Sequence, residues 1–184
     1  MNKFVLIHGL GSSLDNSFGI KVKERLVNRG YEVIEPIFPV KGEATLEAWT
    51  KVLDSLDIDD NCNFLCHSLG ATFIIKYLFY KGIKANLVIA VAGGLYDKAQ
   101  DGPWVKFPKV KEFEPTKEEF DYFENNVNTI YLIHSDNDHI FNQSNFDAYI
   151  QKTGAREIVL KGQKHFGKDS GVKDIPIIES ILDK

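Results

Sequence analysis

An excess of basic residues is absent from this sequence, and that absence argues against nucleic acid as a partner. The 184 residues contain 22 lysines and arginines against 26 aspartates and glutamates, so the formal net charge is −4 at pH 7. Proteins that bind nucleic acids usually carry a basic patch or stripe. Hydrophobic residues make up 43% of the chain and charged residues 26%, proportions that are ordinary for a folded domain and argue against disorder.

Long hydrophobic runs are also missing. The longest apolar stretch falls well short of the roughly 18 residues that would indicate a membrane-spanning helix. Met1, Asn2 and Lys3 lead directly into a strand-like segment, without the apolar core and cleavage site of a secretory signal peptide. We therefore expect no membrane association, a cytoplasmic location, and a single domain formed by residues 1–184.

Cysteine is scarce, and its placement excludes an internal disulfide. Cys62 and Cys66 are the two cysteines, and both fall on one predicted strand. Strand residues four positions apart are separated by about 13 Å, whereas a disulfide needs Cα atoms closer than about 7 Å. Two free thiols are compatible with a reducing cytoplasm.

The sequence does contain a regular alternation of short apolar segments and longer amphipathic ones. The short segments predict six strands, at residues 3–8, 31–37, 62–67, 86–92, 128–134 and 156–160. The longer segments predict helices, at about residues 17–29, 45–56, 69–81, 115–125, 142–152 and 174–183. This alternation predicts an α/β fold with a doubly wound, mostly parallel six-stranded sheet flanked by helices.

Such a sheet has a preferred edge for chemistry. Binding and reacting groups collect beyond the carboxyl ends of the strands, at the point where the winding direction reverses. If the first and third strands are neighbours at that point, the loops after His8 and His67 should face each other.

Residues 62–71 join an apolar strand to an apolar helix within one residue, at Ser68. A strand that turns so sharply exposes the intervening side chain, and the following helix directs its N-terminus at it. The local sequence is C-H-S-L-G, which has Cys66 in place of the first glycine of the usual G-x-S-x-G pattern. Two other interpretations stay open: Ser68 could be an ordinary helix N-cap, and Cys66 could be the nucleophile, although its position lies within the strand.

A serine nucleophile needs a histidine to accept its proton and a carboxylate to orient that histidine. On this fold the acid follows the serine in the chain and the histidine comes last. Residues 135–139, S-D-N-D-H, follow the fifth strand, and His165 follows the sixth. Asp138 is favoured over Asp136, because Asp136 lies near the strand end, where it can cap the turn. His165 is favoured over His139, because neighbouring side chains such as those of His139 and the acid rarely aim at a common partner.

An oxyanion intermediate also requires backbone N–H donors. The amide of Leu69, directly after the serine, is one candidate. The loop after the first strand, H-G-L-G, supplies the second candidate at Leu10, because flanking glycines let the backbone turn its amide inward. Taken alone, H-G-L-G would be an ordinary glycine-rich turn.

Three further histidines, His8, His67 and His134, end predicted strands. Histidines in such positions could hold a zinc ion, or they could brace the loops around Ser68 through hydrogen bonds. The sequence has no recognised zinc-ligand spacing, so bracing is the favoured role and no metal is expected.

In order and spacing, the motifs H-G-L-G, C-H-S-L-G, S-D-N-D and K-H-F-G resemble those of the α/β-hydrolase superfamily. The short chain and its W-x-x-F-P segment are similar to the small, nearly lidless serine-hydrolase family that includes retinoblastoma-binding protein 9. The resemblance covers residues 3–182 and implies a minimal α/β-hydrolase fold without a cap domain. By this likeness Ser68, Asp138 and His165 form the catalytic triad. His139 stands where the family usually has proline after the acid.

Residues 95–114 lie where larger α/β hydrolases insert a cap domain, and this segment is too short to form one. It contains Trp104, Phe107 and Phe113. These aromatic side chains could line a pocket for the acyl or alcohol part of a substrate, or they could pack the segment down.

The resemblance implies a serine hydrolase that cleaves small carboxylic esters through an acyl-enzyme, without a cofactor. Because residues 95–114 are too few to form a cap domain, the cleft should be open and shallow, which favours small soluble esters over long lipids as the partner. Thioesterase and small-amide hydrolase activities stay open, because the same groups would serve them. A non-catalytic protein-interaction module on a hydrolase scaffold also stays open, since fold alone does not fix function.

Overall fold

The computed structural model of the chain describes residues 2–11, 13–95 and 108–183. Within these ranges the strands are β1 (Lys3–Ile7), β2 (Glu32–Ile34), β3 (Cys62–His67), β4 (Ala85–Val91), β5 (Val127–Ser135) and β6 (Arg156–Leu160). The α-helices there are α1 (Gly19–Asn28), α2 (Leu46–Asp54), α3 (Leu69–Lys81), α4 (Lys117–Asn126), α5 (Gln143–Thr153) and α6 (Ile177–Leu182).

The strands form one parallel sheet in the order β2-β1-β3-β4-β5-β6. The chain winds from β1 outward to β2 and then from β3 towards β6 on the other side, so the winding reverses between β1 and β3. Ile7 of β1 lies opposite Cys66 of β3, and the two strands therefore end side by side. The predicted α/β fold is confirmed, and so is the expected pairing of the first and third strands.

Each face of the sheet has its own apolar core. Successive strand side chains point to opposite faces, so Val5 and Phe64 pack with α2, α3, α4 and α5, whereas Phe4 and Leu65 pack with α1 and α6. Helix α3 is buried along most of its length, as its nearly uniform apolar sequence indicates. The helix that follows Ser68 is therefore held firmly against the sheet.

The second strand is shorter than the predicted 31–37. Its pairing with β1 runs from Glu32 to Ile34. Pro36 has no N–H to continue the ladder, and the chain leaves the sheet there, so that Ile37 is 82% exposed.

Two helix starts also differ from the prediction. Helix α4 begins after Thr116, which forms a capping box with Glu119, so Pro115 precedes the helix and does not occupy its first turn. Helix α6 begins after Pro176, later than the predicted residue 174, because proline disfavours a helical conformation of the residue before it, Ile175.

Of the three aromatic residues proposed to line a pocket, Trp104 and Phe107 lie outside the described residues. Phe113 is buried, and its ring packs against Trp49 with the centroids 5.1 Å apart. Cys62 and Cys66 are buried free thiols. In the described ranges, no helix has the length and apolar character needed to cross a bilayer.

Candidate active site

Ser68 lies in the turn between β3 and α3, at the carboxyl edge of the sheet. Its φ of 52° and ψ of −117° belong to a region that residues other than glycine rarely adopt. The Ser68 N–H donates to the carbonyl of Val91 at 2.9 Å, and the Ala71 N–H donates to the carbonyl of Ser68 at 2.9 Å. The hydroxyl of Ser68 does not cap the helix. This strained strand–turn–helix geometry is that of a nucleophile elbow.

Two glycines allow the neighbouring backbones to approach this turn. A Cβ added to Gly70 would lie 2.8 Å from Ile7 Cγ2 and 2.9 Å from the Ile7 carbonyl oxygen, which is closer than such atoms can pack. A Cβ added to Gly9 would lie 3.0 Å from Cβ of Ser68. Helix α3 and the loop after β1 can therefore both reach Ser68 because these positions lack side chains.

Cys66 lies away from this site, although it is two residues before Ser68. Its side chain is fully buried in the core between the sheet and α3. Burial raises the pKa of the thiol well above its usual value, so the thiol stays protonated. This environment disfavours Cys66 as a nucleophile.

Ser68, His165 and Asp138 form a continuous chain of hydrogen bonds. His165 Nε2 is 2.9 Å from Ser68 Oγ, and His165 Nδ1 is 2.8 Å from Asp138 Oδ2. Burial by itself raises the pKa of Asp138, but hydrogen bonds from His165 and from the N–H groups of Ile140 and Phe141 together lower it. Asp138 is therefore a carboxylate that accepts from Nδ1–H, which leaves Nε2 free to accept the serine proton.

His139 lies beside this chain of hydrogen bonds. It is exposed, and its ring centroid is 6.2 Å from that of His165 in an edge-on arrangement. The histidine in contact with Ser68 is His165, as favoured from the sequence.

Three side chains at the end of β5 and in the loop after it hold successive backbone amides of the loop after β6. The Gly162 N–H donates to Asp136 Oδ1, and the Gln163 N–H donates to Ser135 Oγ. The Lys164 N–H donates to Asn137 Oδ1, and each of the three distances is 2.8 Å. The contacts of Ser135 and Asn137 with this loop are not predictable from the sequence. Local sequence carries no signal for them, because their partners lie 28 and 27 residues away.

The loop after β1 is held by hydrogen bonds to two of its backbone carbonyl groups, those of Gly9 and Leu10. The Phe38 N–H donates to His8 Nε2 at 3.0 Å, so His8 carries its proton on Nδ1, which lies 2.6 Å from the Gly9 carbonyl oxygen. The Lys41 N–H donates to the Leu10 carbonyl at 3.2 Å. In a planar trans peptide the Leu10 N–H points opposite to the Gly9 carbonyl, and therefore away from His8.

His67 and His134 also have partners of their own. His67 Nε2 is 2.8 Å from the carbonyl oxygen of His165, and His134 Nε2 is 2.7 Å from Glu157 Oε1. The contact of His67 agrees with the bracing role favoured from the sequence, whereas His134 binds a side chain of β6 and not a loop around Ser68. Among the residues that the structure describes, no group of three His, Cys, Asp or Glu side chains could hold a metal ion.

A cleft of about 380 Å³ opens onto Ser68, between the loop after β1 and the loop that carries His165. Its volume lies in the range of roughly 300–1,000 Å³ that is typical of small-molecule sites. The Leu69 N–H belongs to the first turn of α3, where amides have no acceptor within the helix. The same helix N-terminus places a positive partial charge beside Ser68.

Comparisons with known proteins agree with this architecture. A family model described as serine hydrolase matches residues 4–184. The ydeN gene product from B. subtilis is similar in structure, with a TM-score of 0.84, 23% identity, and coverage of 100% of this chain and 97% of that one. Among curated protein sequences, no relative matches.

Two further solved structures resemble the chain at lower identity. A carboxylesterase from the ammonia-oxidizing thaumarchaeon Nitrososphaera gargenis has a TM-score of 0.70 and 14% identity, covering 98% of this chain and 88% of its own. The thioesterase domain from the curacin biosynthetic pathway has a TM-score of 0.68 and 12% identity, covering 99% and 91%. Likenesses at these identities show the fold alone.

The different partners of Asp138 and Asp136 lead to a testable prediction. Asp138→Asn keeps the shape of the side chain but favours the wrong tautomer of His165, so we expect kcat for p-nitrophenyl acetate to fall by about 10³- to 10⁴-fold. Asp136→Asn is the matched control, because it keeps an oxygen that can accept from the Gly162 N–H. It should lower kcat by less than about tenfold. A larger loss in Asp136→Asn than in Asp138→Asn would transfer the orienting role to Asp136.

Proposed function

Because the chain belongs to the serine hydrolase family, we propose that it hydrolyses small carboxylic esters through an acyl-enzyme formed on Ser68. The observation that carries the proposal is the chain of hydrogen bonds from Ser68 through His165 to Asp138, with distances of 2.9 Å and 2.8 Å. Serine hydroxyl is a weak nucleophile until a neighbouring base accepts its proton. This arrangement supplies that base and a buried carboxylate to orient it.

In the proposed reaction, His165 Nε2 accepts the proton of Ser68 as Oγ attacks the ester carbonyl carbon. The imidazolium that results then donates this proton to the leaving alcohol oxygen, and the acyl group remains on Ser68. In the second half, His165 accepts a proton from water while the water oxygen attacks the acyl carbon. Return of the proton to Ser68 Oγ releases the carboxylic acid. Asp138 stabilises the imidazolium in both halves, and every reacting group except substrate and water belongs to this chain.

The backbone amides of Leu10 and Leu69 are the proposed donors to the oxyanion of each tetrahedral intermediate. Two features support them. The Gly9 carbonyl is held by His8, which directs the Leu10 N–H away from His8, and Leu69 is the first residue of α3, whose N-terminus favours negative charge.

A small substrate is favoured by the size of the cleft at Ser68, about 380 Å³. Thioesters and small amides remain alternatives that the same groups would cleave. Comparing kcat/KM for an oxygen ester and a thioester with the same acyl group would show which of these two substrate classes is preferred. A cytoplasmic location and a closer relation to the family branch that includes retinoblastoma-binding protein 9 are further proposals, supported by the free cysteines and the short chain.

Covalent labelling tests the proposal against a non-catalytic interaction module. An activated serine should react with a fluorophosphonate, so we expect one label per chain, detected by intact-mass spectrometry. Ser68→Ala should lose the label and keep the fold, whereas Ser55→Ala, at a serine at the end of α2 that bonds the Val52 carbonyl, is the control and should still be labelled. Labelling that persists in Ser68→Ala would place the nucleophile elsewhere, and absence of label from the wild-type protein would favour the interaction module.

The pH dependence of kcat/KM provides an independent test. Protonated His165 cannot accept the serine proton, so kcat/KM should decline at acid pH with the slope of one proton. Burial lowers the pKa of His8, and burial together with His165 lowers the pKa of His67 to about 3. His67 therefore stays neutral where ordinary histidines titrate, between about pH 5 and 8, and the lowered pKa of Asp138 keeps its carboxylate ionised there.

The control for this measurement is His139→Gln, at the exposed histidine beside His165. It should leave the acid limb in place. An acid limb with the slope of two protons, no acid limb at all, or a limb that disappears in His139→Gln would contradict the assignment of His165.

A further inference from the structure

His67 makes a direct contact with the backbone of the proposed base. Its Nε2 is 2.8 Å from the carbonyl oxygen of His165, which lies 98 residues away in the chain. A carbonyl oxygen can only accept, so Nε2 carries the proton and donates it. The ring of His67 is nearly buried, with its edge against Phe18 at 5.8 Å between centroids and a tilted contact to His165 at 5.3 Å.

The surroundings of His67 fix one tautomer and one ring position. Burial and the nearby His165 lower the pKa of His67 to about 3, so the ring is neutral and has a single N–H. The Nδ1 edge of the ring faces Gly9, where an added Cβ would lie only 3.1 Å from Nδ1. Phe18 borders the ring on another side. The Nε2–H group points at the His165 carbonyl, with Gly9 and Phe18 on two other sides of the ring.

The loop that carries His165 needs such external support. Lys164 and Phe166, on either side of His165, both have positive φ values, 49° and 56°. Residues other than glycine rarely adopt this conformation, and they keep it only when surrounding contacts impose it. The loop after β5 binds the amide of Lys164 through Asn137, and the side chain of Phe166 is fully buried. His67 holds the carbonyl that lies between these two anchors.

We propose that His67 is a positioning residue for the proposed reaction: its Nε2–H fixes the His165 carbonyl and so keeps His165 Nε2 at hydrogen-bond distance from Ser68 Oγ. His67 is also the last residue of β3 and the direct neighbour of Ser68. The end of β3 therefore positions both proposed groups: Ser68 through the covalent chain, and His165 through the side chain of His67. The inference rests on the proposed function, because it assigns a role within the same site.

The test separates the N–H donor of His67 from the packing of its ring. His67→Phe keeps an aromatic ring and removes the donor, whereas His67→Gln keeps an amide N–H at nearly the same reach. Displacement of a reacting group by about 1 Å can cost on the order of 10²-fold in rate. We therefore expect His67→Phe to lower kcat for p-nitrophenyl acetate, and the rate of fluorophosphonate labelling, by about 10- to 100-fold with KM changed by less than about threefold.

His67→Gln should recover most of the loss, to within about fivefold of the wild-type rates. His134→Phe is the matched control, because His134 is another buried histidine at a strand end, with a hydrogen bond to Glu157 instead of to the site. This variant should change kcat by less than about threefold, even if it lowers stability. The midpoint of urea unfolding, measured for each variant, separates loss of rate from loss of fold.

Three outcomes would overturn the role of His67. They are a His67→Phe variant with kcat and labelling rate near those of the wild type, a folded His67→Gln variant as slow as His67→Phe, and an equal loss of rate in His134→Phe. If His67→Phe does not fold, His67→Asn replaces it, because its amide is too short to reach the His165 carbonyl and should be equally slow. Wild-type protein that the fluorophosphonate does not label would overturn the proposed function together with this role. If the wild type is labelled rapidly and the His67 variants have the same kcat and labelling rate, only the role of His67 is overturned.

Discussion

The site depends on one backbone constraint, the strained turn at Ser68 between β3 and α3. A positive φ at a residue other than glycine costs on the order of 1–3 kcal/mol and persists only where the surroundings determine it. Here β4 accepts the Ser68 N–H through Val91, and α3 packs against β1 at Gly70 without room for a side chain. The turn directs the serine hydroxyl, the Leu69 amide and the helix N-terminus towards the same point.

The sheet topology brings the remaining groups to that point. Because the winding reverses between β1 and β3, the loop after β1 faces Ser68, and Leu10 lines the cleft there. The loops after β5 and β6 extend over the same edge, and the hydrogen bonds from the 135–138 loop to the 162–165 loop hold them together. His67, next to Ser68 in the chain, binds the same loop at the His165 carbonyl. The relative position of His165 and Ser68 therefore depends on fixed strand ends and on short polar contacts.

Local sequence predicts part of this arrangement well. The alternation of apolar and amphipathic segments was enough for the parallel sheet, and the abrupt change from strand to helix located Ser68. The patterns after β5 and β6 indicated Asp138 and His165 individually, and in the structure these side chains lie within hydrogen-bond distance of each other and of Ser68. Their catalytic roles remain proposals.

Other features depend on contacts that no local pattern encodes. The contacts of Ser135, Asn137 and His67 join residues that are far apart in the chain. A short sequence window holds only one partner of each pair. Phe113 illustrates the same limit, because local sequence does not separate a pocket lining from a core contact, and in the structure its ring packs against Trp49 and also lines a cavity of about 190 Å³.

If the chain is the proposed esterase, an ester's acyl group passes through Ser68. Rapid acid quenching of the reaction with p-nitrophenyl acetate, followed by mass spectrometry of the intact protein and of its peptides, tests this step. We expect one added acetyl group per chain in the early phase, located on Ser68, which disappears as the substrate is consumed. Turnover without any added acetyl group, or an acetyl group located on Cys66 or on another residue during turnover, would contradict it.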